Sequence, residues 1–470
     1  MSLSALIFWV TYLGGIVAAL FNPAVGVTLY VLVYHLNPET QWWGGSVQAI
    51  GLRTSFTVAL ATGIGMLLRM PRLHHGARQF PVPYVFALLL TAVALGSLVW
   101  GLGLSERGEY QAEKLIKLMI ISFIIIRCVR TPLQYQLVVF AWLAGVFYVG
   151  YEATGGVGIT RGGRLTGGLG GPDFAESSGL AVHLVATLPL IGAVFFMLRS
   201  WWARGLVLIT GALAVNTLIM TRTRNALAGL AAMAVTTVLS LPRGYRFKGL
   251  AAIVAGTLLA VQLTDPAWWR RMESVKTYSQ DPAAVQRIRL WRAALEMARD
   301  HPFGIGLGNF HHVVMDYVPN LTIIRAAHNT PLACLAELGW IGLLLFCAVV
   351  GLTVWRLGRV RRQAHYLPPH TEIRLFRWTS RFHLAWHATA LRAAIVGYLG
   401  CAMFTTRLTS EDFWLLIALA AALHNVSKYV VAEHELEDTK VPPVVLLPPG
   451  KRESELAARP ALQPTHSLIP

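Results

Sequence analysis

The residue best placed for chemistry is His328, in the run Ala326-Ala-His-Asn-Thr-Pro-Leu332. Pro331 suits a first helical turn, and Thr330 or Asn329 suits the N-cap before it. The positive end of that helix's dipole disfavours an imidazolium, so His328 would stay neutral and able to accept a proton. A hydrogen-bonded interfacial histidine is the competing reading of the same residues. Arginines are the second notable group: Arg222 and Arg224 in Thr221-Arg-Thr-Arg-Asn225, Arg161 and Arg164 in Thr160-Arg-Gly-Gly-Arg164, and Arg287 and Arg289 further on. The planar guanidinium fork matches phosphate oxygens in bidentate pairs. Each arginine alone is equally explained by snorkelling at an interface or by pairing with a nearby acid. Taken together they suggest an anion-binding face suited to a lipid phosphate or pyrophosphate.

The elements that must position these groups are set by composition. Of 470 residues, 55% are hydrophobic and only 13% are charged, against roughly 25% charged in soluble domains. Such a chain cannot cover a water-facing surface with polar groups, which excludes a soluble globular enzyme. About 13 apolar segments approach spanning length, the first two open to reading as one span plus a re-entrant piece. Backbone polar groups in lipid must bond internally, so the spans are helices. The fold class expected is all-α, a polytopic transmembrane helical bundle of about 12–13 spans.

Lys and Arg in short loops orient the bundle. Arg69, Arg72 and Arg78, Arg127 and Arg130, Arg199 and Arg204, Arg243, Arg246 and Lys248, and the loop from Arg356 to Arg392 are assigned to the cytoplasm. Much of the net charge of +17 is therefore topogenic, and no nucleic acid is needed to explain it. The expected organisation is an N-terminal transmembrane bundle over 1–264, a periplasmic loop over 265–327, C-terminal spans with a basic cytoplasmic loop over 328–430, and a disordered cytoplasmic tail over 431–470. The arginines named above then fall on the outer side, where the insertion rule disfavours them. Lys276 and Arg325 do too.

The outer loop is too long for a plain connection. Ile288, Trp291, Leu295 and Ala298 recur at steps of three and four, predicting an amphipathic helix over Gln286–Asp300 against lipid or other helices. Pro302-Phe-Gly-Ile-Gly-Leu-Gly-Asn309 lacks the following Lys-Ser/Thr of a nucleotide loop and reads as a tight turn. Glu337 is an acid inside an apolar run, either functional or paired with a neighbouring arginine. His383 and His387 are four apart, with His365 and His370 upstream; the segment 376–391 reads as an interfacial helix rather than a metal site. The four cysteines show no disulfide or zinc spacing and read as packing residues.

The ordered set Arg287-Ile-Arg-Leu-Trp-Arg, Pro302-Phe-Gly-Ile-Gly-Leu-Gly-Asn, Ala327-His-Asn-Thr-Pro-Leu and Ala336-Glu-Leu-Gly-Trp-Ile-Gly342 resembles the O-antigen ligase/polymerase superfamily. Thr221-Arg-Thr-Arg resembles its Thr-x-Ser-Arg stretch. Arg164-Leu-Thr-Gly with Pro172-Asp173 resembles its Arg-Leu-Thr-Gly…Pro-Asn stretch, with Asp173 in place of the usual Asn. Asn37-Pro-Glu-Thr-Gln-Trp-Trp-Gly44 and Leu52-Arg-Thr-Ser-Phe56 are similar to the exosortase-associated O-glycosylation ligase branch. The resemblance implies a multi-pass protein of the bacterial inner membrane with its active site facing the periplasm. It implies a glycosyltransferase without metal or other cofactor, moving a glycan from undecaprenyl pyrophosphate to a lipid A-core sugar, a protein hydroxyl or, in a polymerase, another repeat unit. The family's essential histidine falls on His328 and its arginines on Arg224 and Arg287, with Arg289, Arg222, Arg164 and Arg161 as further pyrophosphate contacts. A transporter of lipid-linked glycans is the rival reading, and a scaffold protein a more distant one. A transporter would carry ionisable groups near mid-membrane.

Overall fold

The structure, a computed structural model, describes residues 2–69, 81–160, 163–174, 176–241, 243–264, 266–273, 282–319, 321, 326–367, 371–375 and 378–440. Arg72, Arg78, Arg161, Lys276, Arg325 and His370 lie outside the described residues. Every predicted apolar segment falls on a helix of its own. These are α1 (Leu3–Phe21), α2 (Pro23–Leu36), α4 (Thr54–Leu68), α5 (Val82–Trp100), α6 (Glu106–Cys128), α7 (Pro132–Thr154), α8 (Ser177–Met197), α9 (Trp201–Thr221), α10 (Asn225–Ser240), α11 (Arg243–Gln262), α15 (Thr330–Gln363), α16 (Leu384–Ala402) and α17 (Glu411–Lys440). Short helices α3 (Gly45–Ala49), α12 (Pro266–Glu273), α13 (Pro282–Asp300) and α14 (Phe310–Tyr317) fill the connections. Among the described residues, eight helices are long and apolar enough to cross a membrane, and α4 and α10 are shorter apolar ones. A helical membrane bundle is the architecture.

Hydrogen bonds between connections define one capped end of this bundle. Asn37 Nδ2 donates to Gly170 O (2.8 Å), Leu165 N to Met220 O (2.9 Å), Leu102 N to Ile305 O (2.9 Å) and Asn329 Nδ2 to Met403 O (3.0 Å). Their carbonyls and amides lie where helices end and have no intrahelical partner, so the connections satisfy one another. At the opposite end Arg392 Nη1 donates to Ser240 Oγ (3.4 Å), and Arg199 pairs with Glu372 (3.2 Å).

The long connection is folded onto the bundle. Leu290, Ala293, Ala294 and Met297 of α13 form a second core with Phe310 and Val314 of α14 and with Ala327, Ala333 and Ala336. The buried face of α13 is thus shifted from the predicted stripe, and Leu295 is half exposed. Small residues decide this phase: Ala293 and Ala294 let α13 approach α15 closely, which a count of large apolar side chains overlooks.

At 34 residues α15 would be about 51 Å long, well over the roughly 30 Å hydrocarbon core. It breaks at Gly339, where φ is 68° and ψ −169°. The break frees the carbonyls of Ala336 and Glu337, which accept from Ile305 N (2.9 Å) and Gly306 N (3.0 Å). The Pro302–Asn309 turn is therefore wedged between the α15 break and the end of α5, where Leu307 N donates to Ser97 Oγ (3.0 Å). It is a structural turn, as the sequence predicted. Glu337, expected as an intramembrane acid either functional or paired with an arginine, stands at the break, and its Oε1 accepts from Phe310 N (3.4 Å) at the start of α14.

Two expectations are corrected on the opposite end. Of the segment 376–391 predicted as an interfacial helix, residues 378–382 form strand β2 (Trp378–Phe382), paired antiparallel with β1 (Thr371–Leu375), while the residues from Leu384 onward are helical and belong to α16. His387 is fully buried in α16, its Nε2 3.1 Å from Gln136 Oε1. Its polar neighbours drew the predicted span start too late, because a buried histidine looks in sequence like an interfacial one. Of the cysteines, Cys128, Cys334 and Cys401 are buried and Cys347 is exposed, all as free thiols. Contacts divide the chain at Val430/Val431. In the second unit residues 431–440 are helical, where the sequence suggested disorder, and 441–470 lie outside the described residues.

Replacing Gly339 by alanine would force a left-handed backbone on an L-residue, costing about 1–2 kcal/mol. It would also drive a Cβ into Pro302 O. The Gly339→Ala protein should unfold at a clearly lower temperature in detergent. Gly351→Ala, in the same helix with open space around it, should be neutral or stabilising by up to about 1 kcal/mol.

Candidate functional site

His328 occupies the capped end immediately before α15. Asn329 is the N-cap, its side chain accepting from Leu332 N (3.0 Å). The backbone of His328 is left-handed, with φ 49°. Three non-glycine residues among those described have positive φ, and two of them are His328 and Arg222. Such backbone persists only where surroundings over-determine it. Here they do: Trp291 Nε1 donates to Ala327 O (3.0 Å), Asn329 Nδ2 to Met403 O (3.0 Å), and Thr330 Oγ1 to Thr405 O (2.7 Å). Arg407 N in turn donates to Thr330 Oγ1 (3.0 Å). The ring of Trp291 also meets that of Phe404, with centroids 6.1 Å apart.

The arginines form two groups. Arg287 lies one helical turn before Trp291 on α13, so the Trp291–Ala327 bond brings its helix against the His328 segment. Arg289 is exposed on the same helix. Arg164 and Arg222 are neighbours: Arg164 Nε donates to Thr221 O (3.1 Å), and Arg222 Nη2 lies 3.4 Å from where a Cβ on Gly163 would sit. Arg164 Nη2 reaches Ser177 Oγ (2.8 Å), and partial burial with the Arg222 charge lowers its pKa. Arg224 is the N-cap residue of α10, and its side chain makes no cap bond there. Beside it, Asn225 Nδ2 is buried with no hydrogen-bond partner. Helices α10 and α16 cross closely at Gly229 and Gly397, which leads from Arg224 to the Met403 carbonyl that holds Asn329.

Sequence reasoning missed a buried polar network beneath this surface. Asp173 is its hub: its carboxylate accepts from Lys114 Nζ (2.7 Å), Tyr34 OH (3.3 Å) and Glu411 N (2.7 Å), and its carbonyl from Arg407 Nη1 (2.9 Å). Tyr30 OH donates to Glu411 Oε1 (2.6 Å), and Tyr398 OH to Asp412 Oδ1 (3.0 Å). His183 approaches Asp412 (3.7 Å) and His35 (3.2 Å). Asp173, the departure from the family's asparagine, is thus the counter-charge of Lys114. The available signal was an ionisable residue inside an apolar helix, as at Lys114, and an arginine on the capped end, as at Arg407.

On α14, His311 is pushed down to about 4 by burial and by the charges of Arg107, His312 and His328. His311 and His328 are therefore electrostatic neighbours, although they arise from different elements. Among the described residues no cluster of three or more His, Cys, Asp or Glu is arranged to hold a metal.

Residues 209–347 match the family described as O-Antigen ligase. That match supports glycan transfer of the ligase or polymerase type in general. The matched stretch contains Arg222, Arg224, Arg287, Arg289 and His328. No curated protein matches the chain.

Asp173→Asn removes the counter-charge of the partly buried Lys114 ammonium and should cost about 1–3 kcal/mol. Adding Lys114→Met should recover most of the loss, as read by thermal unfolding. For His311 the unfolded chain takes up a proton near the ordinary 6.5, the folded one only near 4. Stability should thus fall as pH drops through that window. His311→Gln should flatten that part of the curve.

Proposed function

We propose that the protein is a metal-independent glycosyltransferase of the bacterial inner membrane. It moves a glycan from undecaprenyl pyrophosphate to an acceptor hydroxyl, on lipid A-core or protein, at the periplasmic side. His328 takes the proton of the acceptor hydroxyl as its oxygen attacks the anomeric carbon. The bond from that carbon to the pyrophosphate oxygen breaks, and the lipid pyrophosphate leaves with the electron pair. Arg224 and Arg287 hold the departing diphosphate, with Arg222, Arg164, Arg289 and Arg161 extending the positive surface. Fixed guanidinium groups supply the charge stabilisation this step demands, and a neutral imidazole suits the proton transfer.

The Trp291–Ala327 hydrogen bond is the observation that carries this reading. It ties the helix of Arg287 to the segment of His328 across a long stretch of chain. Asn225 Nδ2, buried beside Arg224 with no hydrogen-bond partner, supports an anion there. The ionisable residues Lys114, Asp173, Glu411 and Asp412 sit toward the capped ends of their helices, with Lys114 about 12 Å from the start of α6. That favours chemistry at one face over a mid-membrane transport path.

Purified protein in nanodiscs, given a lipid-linked glycan and candidate acceptors, should yield a product whose mass includes the transferred sugar. Elongated lipid-linked chains would instead identify a polymerase, and no transfer to any acceptor would refute the proposal. His328→Ala should abolish transfer while the protein stays folded. Arg224→Lys keeps charge but loses the fork, and should lower turnover roughly 10–100-fold; unchanged turnover would remove Arg224 from the site.

A further inference from the structure

A cleft of about 470 Å³ opens at the capped end, lined by Leu104, Ser105, Glu106, Arg107, His311 and His312 among others. Its size is in the range of sites for small ligands, roughly 300–1,000 Å³. None of the arginines assigned to the diphosphate lines it. Those come from the 163–164 loop, the α9–α10 turn and α13, whereas this cleft lies between the 102–107 turn and α14. The His328 segment adjoins both regions: Trp291 Nε1 of α13 donates to Ala327 O, and Ala327 packs in one core with Phe310 and Val313 of α14, the latter lining the cleft.

The lining mixes donors and acceptors. Asn309 Nδ2 is committed to Gly103 O (2.8 Å) and Ile305 O (3.0 Å), which fixes the two walls against each other. Ser105 Oγ accepts from Gly108 N (3.1 Å) and keeps its proton to donate. His311 Nδ1 is buried without a hydrogen-bond partner. Glu106, Arg107 and His312 are exposed, and Leu104 offers an exposed apolar patch at 59%. Such a mixture suits a sugar, whose hydroxyls donate and accept and whose ring has an apolar face. Arg107 adds a fork for a phosphate or carboxylate on it.

We infer that this cleft is the acceptor subsite, binding an oligosaccharide with an anionic substituent so that one of its hydroxyls meets His328. This rests on the function proposed above. Transfer between two substrates needs two pockets sharing one base, and this second pocket takes up the role the arginine face leaves open.

The test uses the full chain in nanodiscs and two probes, a phosphorylated oligosaccharide and its dephosphorylated form. Saturation-transfer NMR should show sugar protons contacting the wild type. Leu104→Trp, which fills the cleft from an exposed position, should remove that signal. It should also raise the acceptor KM about tenfold with the donor KM unmoved. Arg107→Gln should weaken the phosphorylated probe about tenfold and the other little. If transfer proceeds but Leu104→Trp leaves acceptor binding and KM unchanged, or raises the donor KM instead, the subsite assignment fails and the glycosyltransferase reading stands. If the wild type binds sugar in the cleft yet transfers nothing, the cleft stands as a sugar site and the enzymatic reading fails. Equal binding of both probes would overturn the anionic preference.

Discussion

A histidine held at φ 49° is the constraint on which the rest of the capped end depends. Left-handed backbone costs an L-residue about 1–2 kcal/mol, and a free loop would relax out of it. His328 cannot relax because the carbonyl before it is bonded to α13 and the two residues after it to the Met403 and Thr405 carbonyls of one segment. Its backbone is therefore held by two distant parts of the chain. Pre-organisation of this kind suits the base role proposed for His328.

That frame exists because α15 is broken. An unbroken helix of its length would overrun the bilayer. The interruption at Gly339 exposes two carbonyls that the Pro302–Asn309 turn then claims. The turn in turn rests on the end of α5 and seats α14, whose first amide is met by Glu337. One glycine thus links a membrane-crossing helix to the fold of the cap, and the glycine-rich stretch opposite it serves packing rather than nucleotide binding.

Charge is used differently above and below the cap. At its surface Arg164 and Arg222 are neighbours, and burial together with the Arg222 charge depresses the pKa of Arg164. Beneath, Asp173 neutralises Lys114 and binds the Arg407 and Glu411 segment leading into α17. A buried pair of this kind contributes little net stability against apolar alternatives, but breaking it is costly. Its effect is to fix where the 403–411 segment runs, and that segment holds Asn329 and Thr330. The buried network therefore acts on the residues that flank His328.

The sequence by itself determined the class of the molecule. Apolar runs of spanning length leave backbone groups no option but helices, and basic loops mark their ends. The ordered motifs from Arg224 to Gly342 carry the family resemblance, and Asn329 and Pro331 announce the start of α15, because capping is local chemistry. Tertiary structure alone decided which arginine meets which partner, that α13 buries its alanines instead of Leu295, that residues 371–375 pair with 378–382, and that Asp173 answers Lys114. These outcomes depend on contacts between residues far apart in the chain, and on small side chains whose value is the closeness they permit. Periodicity and motif spacing record neither. The acidic hub and the cleft beside His311 stayed invisible for the same reason: each is made from several elements, none of which carries the site alone.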